Sequence, residues 1–165
     1  MSNRWSAAAS GSYKKNQVSR KPDNPNSFIN ADEDGRDTTS DVSFKVNGTL
    51  EGPMRIRFSP VYSYQAGTQF ARTFVTSSGQ LNYANPTLNA ELLDARRNST
   101  VSIMNLRIDR PIPMGSVRLF PQLDLYNLLN ANPIQDITVT SGSAFLRPIN
   151  IVPPRVLRFG LKIEF

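Results

Sequence analysis

Seven cations share one parity in the extended-looking stretches of this chain: Lys45, Arg55, Arg57, Arg107, Arg118, Arg158 and Lys162. Alternate residues of a strand share a face, so these would form a basic stripe, able either to pass an anion along or to pair with carboxylates. Asp109, Asp124 and Glu164 stand on the same parity, and pairing with them or with neighbouring acidic groups is the reading they favour. A second constellation is Asn30, Asp32, Asp34, Gly35, Arg36 and Asp41, which match the spacing of an EF-hand calcium loop with its hard oxygen ligands. Asn opens that match, Asp replaces the bidentate Glu at its end, and Val42 to Leu50 reads as strand where an exiting helix belongs. These departures favour a solvated acidic loop, and neither a metal nor a cofactor is expected. The chain has no Cys and no His, which excludes thiol or imidazole nucleophiles, Ser-His-Asp triads, thiolate or imidazole zinc sites and disulfides. An enzyme is not expected.

The elements that would position these residues are strands. In the last segment Leu157, Phe159, Leu161, Ile163 and Phe165 oppose Arg158, Gly160, Lys162 and Glu164. The same alternation runs through Val117, Leu119, Leu123 and Leu125, through Met104, Leu106 and Ile108, through Met54, Ile56, Phe58, Tyr62 and Tyr64, and through Val42, Phe44, Val46 and Leu50. A sixth segment places Trp5, Ala7, Ala9, Gly11 and Tyr13 on one side. Strands are therefore expected near 4–15, 40–50, 54–66, 100–110, 116–127 and 155–165. Phe120 with Pro121, and Pro60, break the pattern; a proline inside a sheet removes a ladder donor and belongs at a bulge or a rim.

Short connections, Glu51-Gly52-Pro53 and Pro111 to Gly115, alternate with three long stretches rich in turn formers, Asn16 to Thr39, Gly67 to Ser99 and Asn130 to Pro154. Tight turns at one end and long loops at the other describe an antiparallel transmembrane β-barrel, with periplasmic turns and extracellular loops. Segments of about 9 to 11 residues suit tilted spanning strands. The charged parity would then line the lumen, and Trp5, Tyr13, Phe58, Tyr62 and Tyr64 would supply interfacial girdles. No apolar stretch is long enough for a spanning helix, and the first ten residues lack the apolar core of a secretory signal. The net charge of +6 admits an anionic partner. A soluble basic β-domain that binds nucleic acid or glycan also fits the alternation, as does a small self-associating outer-membrane barrel.

Three segments carry a resemblance: Gln122 to Pro133 (QLDLYNLLNANP), Ser141 to Pro154 (SGSAFLRPINIVPP) and Arg155 to Phe165 (RVLRFGLKIEF). Together they resemble the carboxyl-terminal end of TonB-dependent outer-membrane receptors, most closely the Oar-like type with a carboxypeptidase-regulatory-like domain. Asp32 to Asp37 (DEDGRD) and Gln65 to Phe74 (QAGTQFARTF) extend the likeness along the chain. The resemblance implies an all-β fold, an antiparallel barrel fragment of about six strands within a 22-stranded wall, and a parent activity of energised ligand uptake. It implies location in the outer membrane, with lipid, the remaining barrel and the plug as neighbours. TonB would be engaged only through an amino-terminal part outside this chain, so the chain is expected to be a fragment, inactive in transport alone. Phe159, Leu161, Ile163 and Phe165 would form the terminal signal read by the barrel assembly machinery. Nucleic acid is not an expected partner.

Overall fold

In the computed structural model the described residues are 4–19, 25–27, 29, 36–76 and 87–165. They form thirteen strands: β1 (Trp5–Ser19), β2 (Arg36–Glu51), β3 (Arg57–Gln65), β4 (Gln69–Phe70), β5 (Thr73–Val75), β6 (Thr87–Asn89), β7 (Arg96–Arg97), β8 (Val101–Asp109), β9 (Ile112–Met114), β10 (Val117–Tyr126), β11 (Ile134–Ile137), β12 (Pro148–Ile151) and β13 (Val156–Glu164). The fold is all-β, every ladder between strands is antiparallel, and no α-helix occurs among the described residues.

One sheet dominates, in the order β1-β2-β3-β8-β10-β13 with β9 paired to β10. It is open: β1 and β13 each have a neighbour on one side only among the described residues. Register carries the sequence parity from strand to strand, because residues paired across an antiparallel ladder share a face. Trp5 pairs with Leu50, Leu50 with Phe58, Phe58 with Ile108, Ile108 with Leu123, and Leu123 with Phe159. Two levels nearer the loops the same face continues with Ala9, Val46, Tyr62 and Met104. Between Trp5 and Tyr13 on β1, and at all matching positions of the five other long strands, this face holds no Asp, Glu, Lys or Arg. Arg110 shares the parity but lies in the break between β8 and β9.

Nothing among the described residues covers that face. Phe159 is 76% exposed, Trp5 68% and Leu161 60%, and the only buried apolar residues among those described are Ala71, Leu88 and Val152. A two-layered sandwich would bury one face of each sheet in a core; here no second layer exists among the described residues. The strands are also staggered. Trp5, where β1 begins, is level with Phe159, yet β13 runs on to Glu164, while at the other end β1 and β2 project as a two-stranded ribbon from Asn16↔Thr39 to Ser19↔Arg36.

Several expectations need correction. The first long loop is shorter than Asn16 to Thr39, because polar cross-strand pairs such as Gln17↔Thr38 keep the ribbon in register with no apolar alternation. The second holds two short antiparallel ladders, β4 with β7 and, between them in sequence, β5 with β6, and the third holds β11 with β12. β3 begins at Arg57, not at 54: Pro53–Arg55 form a 3-10 turn closed by Ile56 N–H donating to Pro53 O at 3.2 Å, and Gly52 N–H donates to Ile56 O at 2.8 Å across its base. Met54 and Ile56 keep the period of two through this turn, which hides it from the pattern. The prolines resolve as breaks. Opposite Pro60 the β2–β3 pairing steps from Asn47↔Val61 to Leu50↔Phe58, and Pro121 sits where β8 gives way to β9.

Candidate functional site: the charged face and the loop end

The second face of the sheet holds the charges, and its register explains their arrangement. Ser59 pairs with Arg107, Arg107 with Asp124, and Asp124 with Arg158. Asp124 is 3% exposed; its Oδ1 accepts from Arg107 Nε at 2.6 Å, and its Oδ2 from Arg158 Nη2 at 2.7 Å and Nε at 3.1 Å. One carboxylate therefore ties three strands together. The adjoining level ties β3 to β8, since Arg57 donates through Nε at 2.8 Å and through Nη2 to Asp109 Oδ2. Lys162 Nζ donates to Glu164 Oε1 at 2.5 Å on the same strand. Burying a carboxylate is costly unless it is paired and hydrogen-bonded, and Asp109 and Asp124 meet that condition.

Of the seven predicted stripe residues, Lys45, Arg57, Arg107, Arg118, Arg158 and Lys162 lie on the charged face by register. Arg55 does not lie in a strand: it ends the 3-10 turn with φ 59°. Lys45 stands apart among Ser10, Ser43 and Ser63, whereas Arg55, Arg57, Arg107, Arg118 and Lys162 line one cavity at the turn end. Phe120, which breaks the alternation, is on this face because it serves the cations: Arg57 and Lys162 lie over its ring at 5.8 and 5.4 Å from the centroid. Tyr126 does likewise for Arg158 at 5.6 Å. Such contacts contribute roughly 0.5–1 kcal/mol at exposed positions.

The four predicted terminal residues Phe159, Leu161, Ile163 and Phe165 stand on the uncharged parity, exposed, at the free edge of the sheet. The five predicted girdle aromatics are on the same face. Trp5 and Phe58 stand toward the turns, while Tyr64 stacks on Phe44 at 5.4 Å nearer the loops, with Tyr13 beyond. Of the calcium-loop candidates, Asn30, Asp32 and Asp34 lie outside the described residues. Asp41 sits well inside β2, opposite Lys14, and an extended run of about 3.4 Å per residue separates it from Arg36.

Sequence reasoning missed the polar joints that hold the loops. Asn127, 4% exposed with φ 49°, donates through Nδ2 to Ala131 O at 2.7 Å and Pro153 O at 2.8 Å, and its Oδ1 accepts from Ala131 N–H at 2.9 Å. Asn130 Oδ1 accepts from Arg155 N–H at 3.0 Å. The DLYNLLN word thus contains a bridging carboxylate and two loop-closing amides. A third joint links separate loops. The guanidiniums of Arg72 and Arg96 both lie over the Phe145 ring, 4.7 and 5.4 Å from its centroid, while Glu91 Oε1 accepts from Arg72 N–H at 2.9 Å and Arg96 Nε at 2.5 Å. The signal available in the sequence was the closeness of Phe70, Arg72 and Phe74, but the partner Phe145 is far along the chain.

No family model, curated protein or solved structure matches this chain.

Proposed function

We propose that this chain is a wall segment of an outer-membrane β-barrel of the TonB-dependent receptor type, structural and not catalytic, whose loops help to form a ligand entrance. The observation that carries this reading is the division of one staggered sheet into an uncharged, uncovered apolar face and an opposite face holding the paired charges. Lipid is the solvent that suits the first: a cationic side chain at the bilayer midplane costs roughly 2–4 kcal/mol, and this face has none between Trp5 and Tyr13 on β1 or at the matching positions of the five other long strands, its Lys15 and Arg36 lying beyond them in the β1–β2 ribbon. The second face suits a water-filled or plugged lumen. Stagger in one direction is what tilted barrel strands require, and two free edges leave places for the remaining wall strands. Short turns at one end would face the periplasm and the loops the exterior. The plug, the rest of the barrel and, through them, TonB would be the partners in uptake, with the terminal strand offered to the assembly machinery by strand addition.

The absence of native cysteine makes a direct test simple. Single cysteines at 157 to 163 carry spin labels in outer membranes, and collision with oxygen is compared with collision with a water-soluble nickel chelate. At Leu157, Phe159, Leu161 and Ile163 the labels should meet oxygen and exclude nickel; at Arg158, Gly160 and Lys162 the preference should reverse. Labels at the apolar positions that exclude both reagents would indicate a protein-packed core and sink the reading.

A further inference from the structure

The charged face has a notch at its turn end. β3 stops at Arg57, paired to Asp109, whereas β9, β10 and β13 continue past that level, with Arg118 opposite Pro113 on one side and Glu164 on the other. Into the notch turns the segment Gly52 to Ile56, where Met54 and Arg55 hold φ of 58° and 59°. L-residues rarely adopt this conformation, and such departures gather where a side chain must be aimed. The result is a cavity of about 680 Å³ with Arg55, Arg118, Lys162 and Gln122 on its walls and Pro111 and Pro113 as apolar surface.

Its charge is only partly used. Asp109 is taken by Arg57, Glu164 by Lys162, and Arg107 is drawn to Asp124 outside the cavity. Arg55 and Arg118 form no ion pair among the described residues. Arg118 feels the charge of its cross-strand neighbour Glu164, but that carboxylate is bonded to Lys162; two guanidiniums without an ion-pair partner on one cavity match a dianion, and each presents a planar fork suited to phosphate oxygens. A single carboxylate would neutralise one of them. The volume lies in the range of sites for small organic ligands, roughly 300–1,000 Å³, and exceeds what a bare phosphate needs.

We propose that this cavity binds a small organic phosphate, its dianionic head between Arg55 and Arg118 and its organic part against Pro111 and Pro113. The inference rests on the cavity alone and stands whether or not the strands cross a membrane. The test is calorimetric titration of the full chain in detergent micelles with phenyl phosphate, with benzoate as the monoanionic comparison. Saturable binding of phenyl phosphate is expected, stronger than that of benzoate, and Arg55→Ala and Arg118→Ala should each weaken it by about tenfold or more. Lys45→Gln, on the same face but outside the cavity, should leave it unchanged. Arg118→Lys guards against a folding defect: it keeps the charge, should keep the wild-type circular dichroism spectrum, and should still bind more weakly because the fork is lost. Absence of saturable binding, equal binding of benzoate, or undiminished binding in both alanine variants would overturn the proposal.

Discussion

Arg107 on β8 and Asp124 on β10 face each other in register and are joined Nε to Oδ1 at 2.6 Å, with Arg158 on β13 completing the bridge from the other side. The carboxylate is buried, but the two arginine side chains are 47% and 55% exposed, so water screens part of the attraction. Asp124→Ala should therefore cost about 2 kcal/mol, below the full penalty for breaking a buried pair. Asp124→Asn should cost less, since its amide oxygen can still accept one guanidinium bond. Urea unfolding of the full chain in detergent measures both. Because both arginines share one acceptor, Arg107→Ala and Arg158→Ala should combine non-additively; strict additivity would mean that the bridge does not act as a unit.

Val61 and Tyr62 are chain neighbours on opposite faces of β3. Val61 pairs with Asn47 and Asn105 on the charged face, and Tyr62 with Val46 and Met104 on the uncharged one. If the uncharged face meets lipid, Val61→Lys is tolerated, whereas Tyr62→Lys costs roughly 2–4 kcal/mol near mid-depth. Outer-membrane yield and heat-modifiable gel mobility report the difference. Equal behaviour of the two variants would remove the distinction between faces on which the membrane reading depends.

Parity explains how much of this architecture could be read in advance. A period of two needs several repeats to be visible, and the long strands supply them; antiparallel register then carries the same parity across the sheet, so the basic stripe and its carboxylates could be assigned to one face before any pairing was known. Strands of two or three residues, such as β4 or β7, are shorter than the pattern that would reveal them. Arg55 was misplaced because its turn preserves the spacing of a strand while reversing the backbone. Asn127 and Phe145 escaped for another reason: their partners Pro153, Arg72 and Arg96 are distant in sequence, and no local periodicity encodes such contacts.

Gly67 should be the most sensitive glycine at the loop end. A Cβ there would lie 1.8 Å from the carbonyl oxygen of Asn98, and this obstacle is backbone, held by Asn98 N–H donating to Thr68 O at 2.9 Å. The Gly67 carbonyl also accepts from Arg97 Nη1 at 2.8 Å. Gly67→Ala should cost about 3 kcal/mol by overpacking and speed protease cleavage within 67–99. Gly115→Ala is the contrast: φ is 66° and nothing lies within 4 Å of the added carbon, so only the left-handed conformation opposes it, at about 1 kcal/mol. Comparable protease sensitivity in both variants would contradict the close-approach argument.

The Glu91 joint should respond to acid in a defined direction. The hydrogen bond from Arg96 holds its carboxyl below the ordinary value of 4.5, with the Arg72 amide assisting and partial desolvation opposing. A depressed carboxyl stabilises the folded loops above the ordinary value and loses that contribution as pH falls through the lowered one. Protection of the Arg72 amide, which donates to Glu91 Oε1 at 2.9 Å, should therefore persist through pH 4.5 and fail only below it. Hydrogen exchange across an acid series, corrected for intrinsic exchange rates, follows this one amide. Glu91→Gln should flatten the profile, because an amide that does not titrate can still accept from Arg72 and Arg96. Loss of protection centred at or above 4.5 in the wild-type chain would show that the arginine does not hold the carboxylate in the folded loops.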